Sequence, residues 1–132
     1  MSVKIDQALI SAFVDGNFDL PIAHENVLFE EDKSTAYVAL TVFQNEDRPF
    51  DLAHINSQTG ALQCVLRYPL HLGSIPAKQK LSEIFAYFKI GRRFQFELQA
   101  VQIRSRQRFS NRQEDGMYHV TGRINYMAYL PR

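Results

Sequence analysis

The sequence predicts an α+β domain: an antiparallel or mixed β-sheet, two helices packed on one face, and an extended hairpin. Three observations predict it. Residues 2–14 and 76–90 repeat apolar side chains at helical spacing. Residues 61–70 and 117–130 alternate with the two-residue period of a strand, and 35–43 is a short apolar run of strand length. The order is helix, strands, helix, strands, which suits a layered α+β fold better than alternating βαβ units.

Ser2 is placed to cap the first helix, and Ile5, Leu9 and Phe13 fall every four residues on one side of it. Gly16 is expected to end it, since glycine accepts the left-handed conformation that follows many helices. Pro21 opens an extended segment, 22–29, that reads as an edge strand, and Glu30-Glu31-Asp32-Lys33-Ser34 reads as a polar turn. The next strand, 35–43, carries Tyr37, Val38, Leu40, Val42 and Phe43, apolar on both faces. Such a strand expects cover on both sides, by helix and sheet or by helix and a neighbouring subunit.

Residues 44–50 form a charged loop carrying Pro49, 51–56 a short strand, and Ser57-Gln58-Thr59-Gly60 has the chemistry of a hairpin turn. In 61–70, Leu62, Cys64, Leu66, Tyr68 and Leu70 share one face, with Gln63 and Arg67 on the other. Pro69 weakens pairing at its end. Pro76 sits in the first turn of the second helix, where its missing amide proton costs nothing. Leu81, Ile84, Phe85 and Phe88 form that helix's apolar stripe, and Gly91 stops it. A strand over 94–103 places Phe94, Phe96 and Leu98 on one face; its alternation slips near Ala100 and Val101, which points to a bulge or a break. A polar loop over 105–116 leads to the closing strand, where Tyr118, Val120, Gly122, Ile124, Tyr126, Ala128 and Leu130 share a face.

The chain's 132 residues are 45% hydrophobic and 12% aromatic, enough for one real core, so 1–132 is read as a single domain. The lone cysteine, Cys64, permits no intrachain disulfide and suits a reducing compartment. Neither a signal-peptide run nor a stretch of roughly 18–20 apolar residues occurs, so the expectation is a soluble chain made in the cytosol.

The formal net charge of +1 hides an asymmetry. Residues 1–60 hold three basic and ten acidic residues, a net of −7; residues 61–132 hold twelve basic and four acidic residues, a net of +8. Unlike halves suit subunits that meet head to tail, where opposite charges face one another. In the alternative, folding simply mixes the charges.

Little points to catalysis. His24, His54, His71 and His119 share no spacing, and no two sit one helical turn apart as zinc ligands do. Gly91-Arg92-Arg93 follows a helix, whereas phosphate cradles precede one. The acidic clusters Glu30-Glu31-Asp32 and Glu46-Asp47 lack the spacing of a calcium loop. No catalytic, cofactor or metal site is therefore expected. A Cys64–histidine nucleophile pair is the enzyme alternative, and thiol labelling separates it from a core cysteine. Residues 92–112 carry six arginines against one acid, Glu97. Arg104, Arg106, Arg108 and Arg112 are expected to meet the acidic half of a neighbour, ahead of a solvated loop. A nucleic-acid-binding module, with Phe109 or Tyr118 stacking on bases, is the third reading.

The order of elements also carries a resemblance. An N-terminal helix leads through the Pro21–Phe29 arm to the strand Ala36-Tyr37-Val38-Ala39-Leu40-Thr41-Val42-Phe43. Gly60 and Leu62-Gln63-Cys64-Val65-Leu66 follow, then Pro69 and Gly73. A helix ends Ile84-Phe85-Ala86-Tyr87-Phe88 before Gly91, and the chain closes on Tyr118–Tyr126 and Pro131-Arg132. This layout resembles the tail terminator (tail completion) proteins of long-tailed bacteriophages, including prophage-borne copies, over nearly the full chain. The arginine-rich 104–112 segment has no counterpart in that pattern.

The resemblance implies a structural subunit without an active site, in a hexameric ring that caps the tail tube. The ring stops tube polymerisation and offers the head-joining surface. It implies as partners a second copy of the chain, the tail tube protein and a head-completion or connector protein, with no membrane. Nucleic acid enters only as DNA passing through the ring. Location would be the host cytoplasm during assembly and then the virion tail. Tyr37, Phe43, Arg104, Arg106, Arg108 and Arg112 are the residues expected at the subunit or tube interface.

Overall fold

The closing strand organises the sheet. A computed structural model describes residues 3–25, 29–30, 34–45, 48–49, 55–114 and 116–131. Among these residues the elements run α1 (Val3–Asp15), β1 (Ile22–Ala23), β2 (Tyr37–Gln44), β3 (Arg48–Pro49), β4 (Ile55–Pro69), α2 (Ile75–Tyr87), β5 (Arg93–Phe96), β6 (Gln99–Arg108), β7 (Arg112–Glu114) and β8 (Met117–Pro131). The strands form one sheet in the order β1-β2-β4-β8-β6-β5, with β3 also on β4 and β7 also on β8. β1 runs parallel to β2 and the other pairings are antiparallel, so the sheet is mixed. At its centre β4 and β8 pair without a break from Ile55↔Pro131 to Pro69↔Met117.

Alternation then assigns the faces. Val38, Leu40, Leu62, Cys64, Leu66, Val120 and Ile124 are buried on the face that both helices cover, in one cluster with Ile5, Leu9 and Phe13 of α1 and Leu81, Ile84 and Phe88. Gly122 lets α2 sit low on the sheet: a Cβ there would come within 2.6 Å of Leu81 Cδ1. The helices meet through aromatic side chains, Phe13 with Phe18 at 4.9 Å between centroids and Phe13 with Phe88 at 6.2 Å.

Several local expectations are corrected. The left-handed residue after α1 is Asn17 (φ 51°), not Gly16. Gly16 is needed because the Phe18 side chain lies 2.5 Å from where its Cβ would be. Of the edge strand expected over 22–29, Ile22–Ala23 is strand and His24, Glu25 and Phe29 are not, while 26–28 lie outside the described residues. Ser57–Gly60 is no turn: the four residues pair in sequence with Tyr129, Ala128, Met127 and Tyr126 in the middle of the sheet. There Gln58 donates its side-chain amide to the carbonyls of Asn45 and Thr59, while its Oε1 is buried without a hydrogen-bond partner among the described residues. α2 ends at Tyr87 rather than Ile90, and Gly91 turns the chain toward β5 with a φ of 88°.

The alternation slip near Ala100 is a break. Phe96 pairs with Gln99 across the two-residue turn Glu97–Leu98, and Glu97 takes a φ of 54°. Leu98 therefore leaves the face of Phe94 and Phe96 and stands 94% exposed at the hairpin tip. The polar 105–116 stretch is also mostly strand, because β6 continues to Arg108 and β7 pairs with β8. Its polar side chains tolerate a strand because they reach the α2 surface on one side and solvent on the other. Ser2, residues 31–33 of the expected polar turn, and 51–54 lie outside the described residues.

Candidate interaction surface

The positions that alternate with the core make a second face of the sheet, turned away from both helices. The register lays it out in rows: Tyr37, Arg67, His119 and Arg112 across β2, β4, β8 and β7, then Ala39, Val65 and Thr121, then Thr41, Gln63, Arg123 and Gln107. It is a face of guanidinium groups lying on aromatic side chains. The Arg123 guanidinium sits 5.3 Å from the Phe43 centroid and 5.0 Å from that of Phe109, and it donates to Gln63 Oε1 at 2.7 Å. Arg67 lies 5.6 Å from the Tyr37 centroid and donates to its hydroxyl at 2.7 Å. A shallow depression of about 240 Å³ opens between Gln63, Val65, Phe109, Arg112, Thr121 and Arg123.

A β-bulge between Ile103 and Ser105 decides where the basic segment points. Arg104 turns onto the second face, where its guanidinium lies 3.3 Å from Met127 Sδ. Beyond the bulge, Arg106 and Arg108 pair with Ile124 and Gly122, which puts them on the helix side. There Arg106 donates to the Phe85 carbonyl at 2.6 Å and Arg108 to Ser82 Oγ at 3.0 Å, both leaning on the Phe85 side chain. Cations suit this end of α2, where unpaired carbonyls carry partial negative charge. Arg112 pairs with Glu114 at 2.9 Å on β7. One basic string in the sequence is thus three separate environments.

The six expected interface residues divide accordingly. Phe43, 42% exposed, and Arg104 and Arg112 lie at the second face. Tyr37 is 4% exposed, covered by Arg67 and by Phe29 at 4.7 Å between centroids. Arg106 and Arg108 brace α2. Arg67 and Arg123 belong to the same surface and were not among the six. Each is the single Lys, Arg, Asp or Glu in an otherwise uncharged fifteen-residue strand, and that isolation was the available signal.

Topology separates Cys64 from His119. Cys64 is fully buried on the helix side with Sγ 3.5 Å from the Gly122 carbonyl, whereas His119 shares the row of Arg67 on the opposite face. Burial pushes the Cys64 thiol from 9.0 up to about 12, the reverse of an activated nucleophile. Cys64 should therefore react with a chromogenic disulfide reagent only as fast as the protein opens, and at once in denaturant. In the unfolded chain the thiol ionises near 9, so its contribution to stability should fall as pH rises from about 9 to about 12. Rapid labelling of the folded protein at neutral pH would contradict this placement. Among the described residues, no three His, Cys, Asp or Glu side chains gather as a metal site, and no helix is long and apolar enough to cross a membrane.

Comparison with known proteins adds the family. The profile described as phage tail terminator protein matches residues 4–126. No curated protein matches the chain. One solved structure superposes with a TM-score of 0.71 over 93% of this chain and 94% of its own, at 21% identity, a likeness of fold alone.

Proposed function

Because this chain belongs to the phage tail terminator family, we propose that its subunits close into a ring, hexameric in the working state, that caps the tail tube. Membership gives it a structural role in the virion tail, alongside tail tube and head proteins. Beyond that role, the ring stops tube polymerisation at its proper length and presents the surface that the head-completion or connector protein joins. Assembly takes place in the host cytoplasm, and DNA meets the protein only as it passes through the ring.

The carrying observation is the second sheet face, where Phe43, Phe109 and Arg104 are exposed around a half-buried Arg123, three of the four coming from the basic half of a chain whose other half is acidic. A cationic, aromatic face needs an anionic, apolar counterpart, and the same chain carries the acidic residues. Unlike patches on one molecule give heterologous contacts, which close into rings when the rotation allows. Phe43, Arg104 and Arg112 are the expected interface residues we keep at this contact. The nucleic-acid reading loses support, since Arg106 and Arg108 are engaged with α2.

Electron microscopy of the purified protein should show six-fold rings, with light scattering giving a mass near six times 15.3 kDa. A species that holds the mass of one chain up to the highest attainable concentration would count against the ring.

A further inference from the structure

The structure holds a knob and a hole of matching chemistry that one molecule cannot bring together. The knob is the β5–β6 turn. Among the described residues Leu98 is the most exposed of the large apolar side chains, and Glu97 beside it pairs with Lys4 at 2.8 Å. The two-residue turn places this apolar side chain and its neighbouring carboxylate together at the hairpin tip. An exposed ion pair such as Lys4–Glu97 contributes little and exchanges readily for another cation.

The hole is the depression on the second face. Val65 and Phe109 are the apolar residues of its lining, and Arg123 lines it beside them. Among the described residues Arg123 pairs with no carboxylate; its partner is the amide oxygen of Gln63. An entering carboxylate would meet a cation whose charge is not yet balanced.

Distance keeps the two apart within one chain. Leu98 immediately precedes β6 and Phe109 immediately follows it, so a ten-residue strand lies between them, about 33 Å at roughly 3.3 Å per residue. Knob and hole thus sit at opposite ends of the subunit, as a head-to-tail contact requires.

We infer that Leu98 and Glu97 of one subunit insert into the Val65–Phe109–Arg123 depression of the next, Leu98 against Val65 and Phe109 and the Glu97 carboxylate on the Arg123 guanidinium. The occupant is a second copy of this chain. The inference rests on the ring reading and names the contact that would close it.

The test uses three full-length proteins: wild type, Leu98→Glu, which spoils the knob, and Val65→Glu, which spoils the hole. Arg123→Glu serves as a second hole variant should Val65→Glu fold poorly. Sedimentation velocity reads their assembly. Wild type should assemble, and each variant alone should associate at least about thirtyfold more weakly, the scale of losing a central interface anchor. Mixing the two variants should yield a dimer and nothing larger, because one intact knob then meets one intact hole. If wild type assembles and Leu98→Glu assembles equally well, the contact is wrong and the ring stands. If the mixture stays monomeric while wild type assembles, the pairing of this knob with this hole is wrong. If wild type itself never assembles, ring and contact fall together.

Discussion

Gly60→Ala should lower the melting temperature by on the order of 10–15 °C. Gly60 lies inside β4, opposite Gln44 of β2 and Tyr126 of β8. An added Cβ would fall 2.0 Å from the Phe43 carbonyl oxygen and 2.5 Å from the Tyr126 hydroxyl. That hydroxyl donates to the same carbonyl at 3.1 Å, so the methyl group strikes both ends of a hydrogen bond. Overpacking of this kind costs about 1–3 kcal/mol and a lost hydrogen bond about 1 kcal/mol more. For a domain of this length each kcal/mol is worth roughly 3–5 °C. Gly73→Ala is the control. Nothing lies within 4 Å of its Cβ position, but its φ is +77°, so only a backbone cost of about 1 kcal/mol is expected. Scanning calorimetry of both variants decides the matter. If Gly60→Ala melts no lower than Gly73→Ala, the close approach of Tyr126 over Gly60 is not there.

Phe88→Ala should remove about 3–5 kcal/mol of stability, the usual range for deleting a buried phenylalanine. Phe88 is fully buried just past the end of α2. Its aromatic side chain lies 6.2 Å from Phe13 of α1, 5.1 Å from Tyr87 and 5.1 Å from Phe94 of β5, centroid to centroid. It therefore joins both helices to the edge strand that leads into the Leu98 turn. Phe88→Leu fills most of the space and should cost less than half as much. Urea denaturation followed by circular dichroism measures both. A loss below about 1 kcal/mol for Phe88→Ala would mean that the aromatic cluster does not couple the helices.

The apolar pattern made much of the architecture legible. Ile5, Leu9 and Phe13 marked α1, Leu81, Ile84 and Phe88 marked α2, and Leu62, Cys64 and Leu66 marked the core face of β4; all of them are buried in one cluster. Each signal is local, because a helix or strand shows its buried side in the spacing of its own residues. The surface was less legible. Ser57-Gln58-Thr59-Gly60 has the composition of a turn, yet pairing with β8 over the length of β4 draws it into the sheet. Glu97 lacks the glycine that usually announces a two-residue turn, so the β5–β6 hairpin showed only as a slip in alternation.

The amino-acid order by itself determined an α+β chain with two amphipathic helices, a long alternating closing strand, one buried thiol and a charge divided between its halves. Tertiary structure alone decided which arginines share a surface. One bulged residue between Ile103 and Ser105 turns Arg104 to one side of the sheet and leaves Arg106 and Arg108 on the other. The physical reason is that strand side chains alternate with a period of two, so a single inserted residue reverses every side chain beyond it. Partners from distant segments, Phe43 and Phe109 around Arg123, then set the chemistry that the reversed pattern exposes.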